Sequence, residues 1–404
     1  MRKTLIISLF FIFLTPVLIP AQTSFDDFKK IQKSEYKGYK DTITEDFESY
    51  KKELKESFLD YKKKASQVWG QKNAVMPDKK IWVQYRDNMK ERNIVDFESG
   101  KAIVEIAAEP DDAKDKKKLL EKVTKAIEKA VTSKPDERSI IEIAKNPGAV
   151  EEDPKKDAVL KDQIKNKKGE IVTEKNAGEF AKELVKDKKV KVKNLKGDDG
   201  KSRLVVSVDF PLVPDHLKKR VDKYKALVFK ESKRRSIESK LVFALMETES
   251  AFNPTAKSPV PAFGLMQLVP VSGGRDAYKF VHGKDQAPTD RFLYQPPNNV
   301  ELGTAYLYIL YYRYLAQIKD QESRLWCAIA SYNTGVGNLL NTFAGKYSRN
   351  KFKNRSEWRN KGFGKINTMN SEEVFNYLKK NLPYEETRNY VVKVRERMPK
   401  YSSN

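Results

Sequence analysis

Apolar positions along the chain change their spacing several times, and each change predicts a different kind of element. In residues 25–65 they fall three and four apart, at Phe25, Phe28 and Ile31 and then at Phe47, Tyr50, Leu54, Phe58 and Tyr61. That period predicts one or two amphipathic helices. From residue 79 the period shortens to two. Lys80–Arg86 (KIWVQYR), Ile94–Phe97 and Ala102–Ile106 read as strands, the last two hinged at Ser99-Gly100. Residues 112–132 return to a helical period, with Leu120, Val123, Ile127 and Val131 on one face.

Residues 145–201 are rich in Lys, Asp and Glu and mixed in sign, which predicts a mobile excursion with short helices, one of them around Phe180–Val185. Ser202–Asp209 alternates like a strand, Pro211 and Pro214 break the chain, and the remainder is helical in pattern. The expected architecture is an α+β N-terminal domain over 22–214, holding the Lys-rich excursion, followed by a mostly helical domain over 215–404. No internal repeat is visible.

The extreme N-terminus supplies an address. Arg2 and Lys3 precede the apolar run Leu5–Leu14, and Pro16, Pro20 and Ala21 follow. A charged start, a short apolar run and a small residue are the marks of a secretory signal peptide over 1–21. Leu5–Ala21 has 17 residues and two prolines, against the ~20 apolar residues a bilayer span needs. The expectation is an exported protein, periplasmic or associated with the cell envelope, outer membrane included. No cysteine near the expected cleavage point could carry a lipid.

Charge changes the picture of partners. The 404 residues include 79 Lys+Arg against 56 Asp+Glu, a net +23. Such an excess favours a polyanion: nucleic acid, anionic lipid or an acidic wall polymer. Export weakens the first. Residues 226–404 hold 28 basic against 16 acidic residues. Within them, 345–365 interleave eight basic residues with Tyr347, Phe352, Trp358 and Phe363. That segment suits an anionic glycopeptide with stacked sugars as well as it suits single-stranded nucleic acid, and a solvated loop would read the same way. One cysteine (Cys327) and two histidines (His216, His282) exclude an intramolecular disulfide and nearly exclude a Cys- or His-built metal site. Cys327, mid-helix among apolar residues, is expected to be buried and inert.

The candidate chemistry lies in Ile237–Ser250. Leu241, Leu245 and Glu249 recur at i, i+4 and i+8, so a carboxyl continues an apolar stripe into the last turn of a helix. Burial and the negative end of the helix dipole both disfavour its charged form. A carboxyl so placed can stay protonated near neutral pH and act as a general acid. Glu247, two residues earlier, should face away. Leu325, Ala328, Ile329 and Tyr332 share a helical face, which turns Tyr332 inward with a hydroxyl that needs a partner.

Glu249-Ser-Ala-Phe-Asn-Pro254 is followed by Ala256-Lys-Ser258, Gly264-Leu-Met-Gln267, Asn299-Val-Glu-Leu-Gly303-Thr-Ala-Tyr306, Ser331-Tyr-Asn-Thr-Gly335 and Leu382-Pro-Tyr384-Glu-Glu386-Thr-Arg388-Asn-Tyr390-Val. This ordered set resembles the lysozyme-like catalytic domain of soluble-type lytic transglycosylases, which cleave peptidoglycan. Upstream, Trp69-Gly70, Ile94-Val-Asp-Phe97 and Val213-Pro-Asp-His-Leu217 resemble the N-terminal domain and junction of the membrane-bound lytic transglycosylase C family. Members of that family are usually lipoproteins, a pattern from which this chain departs, so peripheral membrane association is left open.

The resemblance implies Glu249 as the sole catalytic acid/base, with Ser258 hydrogen-bonding near it. Gln267 would line the sugar site beside Met266, and Tyr332, Asn333, Tyr384, Glu386 and Tyr390 would position the reacting sugar. It implies glycan strands of peptidoglycan as partner, no nucleic acid, and no metal or organic cofactor. The product would be a 1,6-anhydromuramic acid end, formed by attack of the sugar's own C6 hydroxyl. The alternatives are a hydrolytic goose-type lysozyme, which shares the fold and glutamate, and a non-catalytic murein-binding protein.

Overall fold

The alternation in residues 80–106 builds the first three strands of a five-stranded antiparallel sheet. Strands β1 (Ile81–Arg86), β2 (Glu91–Asp96) and β3 (Lys101–Ala108) pair in sequence, β5 (Ser202–Pro211) adds to β3, and β4 (Val190–Lys196) pairs with the far side of β5, giving the order β1-β2-β3-β5-β4. In the computed structural model, residues 48–186, 190–258, 261–348 and 350–402 are described. The expected signal peptide and the helical pattern over 25–47 lie outside them. Helix α1 runs over 48–69, and residues 53–404 pack as one unit.

Turn chemistry sets the registers. Asp87, Asn88 and Met89 all take positive φ between β1 and β2, and Gly100 (φ +69°) closes β2 onto β3 at the hinge the sequence marks. Helix α2 (Pro110–Lys114) leads into α3 (Lys116–Thr132), which buries Leu119, Val123, Ala126, Ile127, Ala130 and Val131. The expected stripe holds except that Leu119 rather than Leu120 is its first buried member. Together with Phe180 and Ala181 of α5 (Ala177–Lys186), that face meets Val95, Val104, Val206 and Phe210 in one core.

The Lys-rich stretch 145–201 is a correction to the sequence reading. After the short α4 (Ile140–Lys145) it sends Leu160, Ile164 and Val172 into that core, then forms α5 and the edge strand β4 (Val190–Lys196). Most of β4 is exposed, with lysines at alternate positions, a composition that protects an open sheet edge from further pairing. Its charge therefore reflects its place at the rim.

The second half is helical: α6 (His216–Arg235), α7 (Ser239–Ser250), α8 (Gly273–His282), α9 (Asp290–Leu293), α10 (Pro296–Tyr308), a π-helical turn (Ile309–Tyr314), α11 (Gln321–Ala344), α12 (Arg355–Asn367), α13 (Ser371–Asn381), α14 (Glu385–Arg397) and a 3₁₀ turn (Met398–Tyr401). The overall class is the expected α+β half followed by a helical one. Helix α7 is central, with every residue from Leu241 to Ser250 buried. Cys327 is fully buried in the same core, and burial pushes its thiol well above the usual range.

The basic segment 345–365 also differs from a solvated loop. Phe352, Trp358 and Phe363 are buried in the helical core, where Gly362 of α12 lets Leu340 approach. The described basic residues line the outside, Arg359 lying over Phe363 and Lys361 over Phe352. Helix α12 accounts for 355–365, while Phe352 sits in the turn before it and is buried all the same, so these rings are not free to stack on a ligand.

Candidate active site

Helix α7 ends at Ser250, one residue beyond Glu249, because Ala251 and Phe252 both enter the left-handed region (φ +47° and +61°). Glu249 is thus held in the last turn with its side chain 4% exposed. Burial raises its pKa to about 7; Lys79 and the Tyr390 hydroxyl oppose that rise, and Glu386 adds to it. A carboxyl with that value holds a proton at neutral pH and can also release it, which is what one group serving as acid and then base requires.

The loop after α7 is built around asparagine and glycine. Asn299 of α10 is wholly buried and fully used: its Oδ1 accepts from Met266 N–H (2.8 Å), and its Nδ2 donates to the carbonyls of Phe263 (2.9 Å) and Leu293 (2.8 Å). Gly264 takes φ +76°, and a Cβ there would lie 2.3 Å from Asn299 Nδ2 and 2.4 Å from the Leu293 carbonyl. Gly303, one turn along α10, makes room for the Met266 sulfur, and Tyr306 sets its ring 5.4 Å from that of Tyr332. The Asn299–Gly303–Tyr306 spacing therefore seats the 264–267 loop. Ser250 ties the loop back to α7, its hydroxyl donating to Leu265 O (2.7 Å).

Of the residues named from the sequence, several meet around Glu249. Tyr332 donates to the Met266 carbonyl (2.9 Å), as its inward face predicts. Tyr390 of α14 stands against Glu249, which raises the tyrosine pKa further beyond the effect of burial. Asn333 precedes a kink at Gly335 (φ +82°) in α11, and its Oδ1 accepts from Thr387 of α14 (2.7 Å).

Gln267, also at positive φ (+47°), donates from Nε2 to Ala256 O (3.2 Å) and Gly264 O (3.0 Å). Its buried Oε1 is left without a partner among the described residues. Ser258 lies nearly buried on the same loop, its N–H donating to Ala262 O. Met266 is a correction: its side chain is 0% exposed and belongs to the core, so it forms the floor beneath the cleft, not its lining. Tyr384 is 57% exposed at the start of α14, outside this cluster.

Of the other carboxyls nearby, Asp78, Asp96 and Glu98 line the cavity that opens onto Glu249, and Glu247 and Glu386 have different fates. Glu247 does face away: it is gripped by Tyr401 Oη (2.7 Å), Arg397 Nε (3.1 Å) and Lys400 Nζ (3.1 Å). Glu386 is exposed and pairs with Lys79 Nζ at 3.0 Å. Lys79 is the residue that sequence reasoning missed. It precedes β1, 170 positions before Glu249, yet its Nζ lies 3.9 Å from Glu249 Oε2. No local pattern separates it from the many other lysines. With Asp78, Lys80, Glu98, Asn389 and Lys393 it lines a cavity of about 360 Å³ opening onto Glu249. Among the described residues no three His, Cys, Asp or Glu side chains converge as a metal site, and no helix is long and apolar enough to cross a membrane.

Comparison with known proteins places this geometry. Residues 226–355 match the model of the transglycosylase SLT domain, and residues 47–223 that of the N-terminal domain of membrane-bound lytic murein transglycosylase C. Proteins named membrane-bound lytic murein transglycosylase C from Yersinia pestis (strain Pestoides F) and Yersinia pseudotuberculosis serotype O:1b (strain IP 31758) are each 33% identical over 343 residues, 83% of this chain and 86% of theirs. Among solved structures, the lytic transglycosylase Slt of Pseudomonas aeruginosa is similar at 26% identity over 45% of this chain and 24% of its own, with a TM-score of 0.33. The 70 kDa soluble lytic transglycosylase of Escherichia coli is similar at 26% identity over 47% of this chain and 26% of its own, with a TM-score of 0.34. The class follows from the matched domain and the named relatives: the chain is a lytic transglycosylase, a lyase acting on peptidoglycan. It belongs to the membrane-bound lytic murein transglycosylase C family.

Proposed function

We propose that the enzyme cleaves the β-1,4 bond between N-acetylmuramic acid and N-acetylglucosamine, using Glu249 as its single acid/base and leaving a 1,6-anhydromuramic acid end. The observation that carries this reading is the buried Glu249 carboxyl, pKa about 7, with Glu247, Glu386 and Glu98 each paired with a cation. Two-carboxyl glycosidases need a second group as nucleophile or as base for water. Glu247 is locked to the C-terminal turn and Glu386 is paired with Lys79, so the substrate must supply the missing parts. The N-acetyl carbonyl would stabilise charge at C1 while Glu249 protonates the leaving oxygen. The C6 hydroxyl would then attack C1 and return its proton to Glu249, gaining from being part of the same sugar.

In this reading Gln267, with its free buried oxygen, and Ser258, Asn333 and Tyr390 contact the sugar. Tyr332 fixes the loop beneath it, and the exposed Tyr384 and Glu386 meet the strand further out. The catalytic domain would span 215–404 and the N-terminal domain 22–214, after a signal peptide over 1–21. Export and the relatives' membrane-bound name support a location in the cell envelope. Glu249→Gln tests the assignment, since an amide keeps the shape but can neither give nor reclaim the proton. The folded variant should lose at least about 100-fold in activity on purified sacculi; near-native turnover would overturn the assignment.

A further inference from the structure

We propose that Lys79, delivered by the N-terminal half, is a positioning residue for the reaction: its ammonium is the counter-ion that receives the Glu249 carboxylate once the proton has left. The inference rests on Glu249 being the acid/base and adds a group from outside the catalytic half to that site.

The geometry behind it is a fixed delivery. Asp78 N–H donates to Ile81 O (3.0 Å), and Lys80 O accepts from Phe97 N–H (3.0 Å), so the backbone on both sides of Lys79 is held by the sheet. Phe97 O in turn accepts from Arg220 Nη2 (2.8 Å), while Arg220 Nε donates to Ala251 O (2.9 Å), two residues after Glu249. One buried arginine thus sets the register between the hairpin that carries Lys79 and the end of the helix that carries Glu249. Lys80 is drawn off to Glu98, which also takes Arg397. Lys79 is the cation within 4 Å of the Glu249 carboxyl among the described residues.

Its distances divide its work. In the resting site Lys79 is hydrogen-bonded to Glu386 at 3.0 Å and stands back from Glu249 at 3.9 Å. The Lys79–Glu386 pair is neutral as a whole, so Glu249 keeps its proton. When that proton passes to the glycosidic oxygen and the C1–O bond breaks, a buried carboxylate is left that needs a cation. Lys79 supplies it without exchanging a proton, and the carboxylate remains free to accept the C6 hydroxyl proton in the second step. Lys79 is held charged by the same neighbours: burial lowers its pKa, but the Glu249 and Glu386 carboxylates more than offset that. The other groups that act on Glu249 are Tyr390 from α14, Tyr332 from α11 and Lys80 beside β1. Asp78 and Lys393 line the same cavity. All of these stay constant in the variants below.

The test is the pH dependence of initial muropeptide release from purified sacculi at limiting substrate, using the full chain. Lys79→Met removes the cation, so the protonated acid persists to higher pH. The alkaline limb should move up by about 1–3 pH units, and the rate at the optimum should fall because the carboxylate product of proton transfer is less stable. Lys79→Arg should restore both. Glu386→Gln frees Lys79 to lean on Glu249 and should move the same limb down. Opposite shifts from two substitutions are not produced by a general structural lesion. An alkaline limb that stays in place in Lys79→Met, whatever the rate, overturns the inference. Activity surviving in Glu249→Gln would instead overturn the reading it rests on.

Discussion

At the scale of single residues, Glu249 joins function to a cost in stability. Its folded pKa of about 7 lies above the ordinary 4.5, so between these values the native state binds more protons than the unfolded one. Stability must fall as pH rises through that window, and the loss is complete above it. A shift of that size corresponds to roughly 3 kcal/mol. Glu249→Gln should therefore gain stability relative to wild type on going from pH 4 to pH 8, by up to about 3 kcal/mol, as read from denaturant unfolding at the two pH values. An equal difference at both would mean that the carboxyl is not held protonated by the fold. The sequence made Glu249 and Tyr332 legible because each continues an apolar helical stripe. Lys79 was not legible, because what singles it out is a contact 170 residues away. Met266 was misassigned to the lining because a motif records that a residue matters, not which of its atoms does: here the backbone N–H and carbonyl are engaged.

At the scale of elements, the site depends on how α10 seats the 264–267 loop. Gly264→Ala would combine positive φ with a Cβ driven into Asn299 and the Leu293 carbonyl, and should cost about 2 kcal/mol or more. The midpoint of thermal or chemical unfolding reads that loss, and a variant as stable as wild type would show that the loop can relax. Periodicity found α3 because it has one buried side and one solvated side, and it found α7, α11 and strands β1–β3 from their apolar stripes and alternation, although α7, β1 and β2 are buried nearly all round. It failed for β4, where an edge strand exposes most positions and lysine stands where a central strand would carry valine or isoleucine. It also misread 345–365, since charges alternating with aromatics fit both a loop and a helix whose rings turn inward. Phe352, Trp358 and Phe363 are all buried, the last two on helix α12 and Phe352 in the turn before it.

At the scale of the whole molecule, the N-terminal half is joined to the chemistry through Arg220. Besides Phe97 and Ala251 it donates to Gln163 Oε1 (2.6 Å) and reaches His216 Nδ1 (3.0 Å). Burial lowers its pKa to about 10, still far enough above neutrality to keep it charged. The stretch once read as a mobile excursion thus supplies, through Gln163, part of the same joint. In a cleft whose one buried carboxyl is Glu249, the sugar's C6 hydroxyl, rather than water, should take C1. Mass spectrometry of the muropeptides released from purified sacculi tests it most directly. The account predicts 1,6-anhydromuramic acid ends that resist borohydride reduction from the earliest time points. Reducible products, heavier by one water and dominant from the start, would contradict it and make the enzyme a hydrolase.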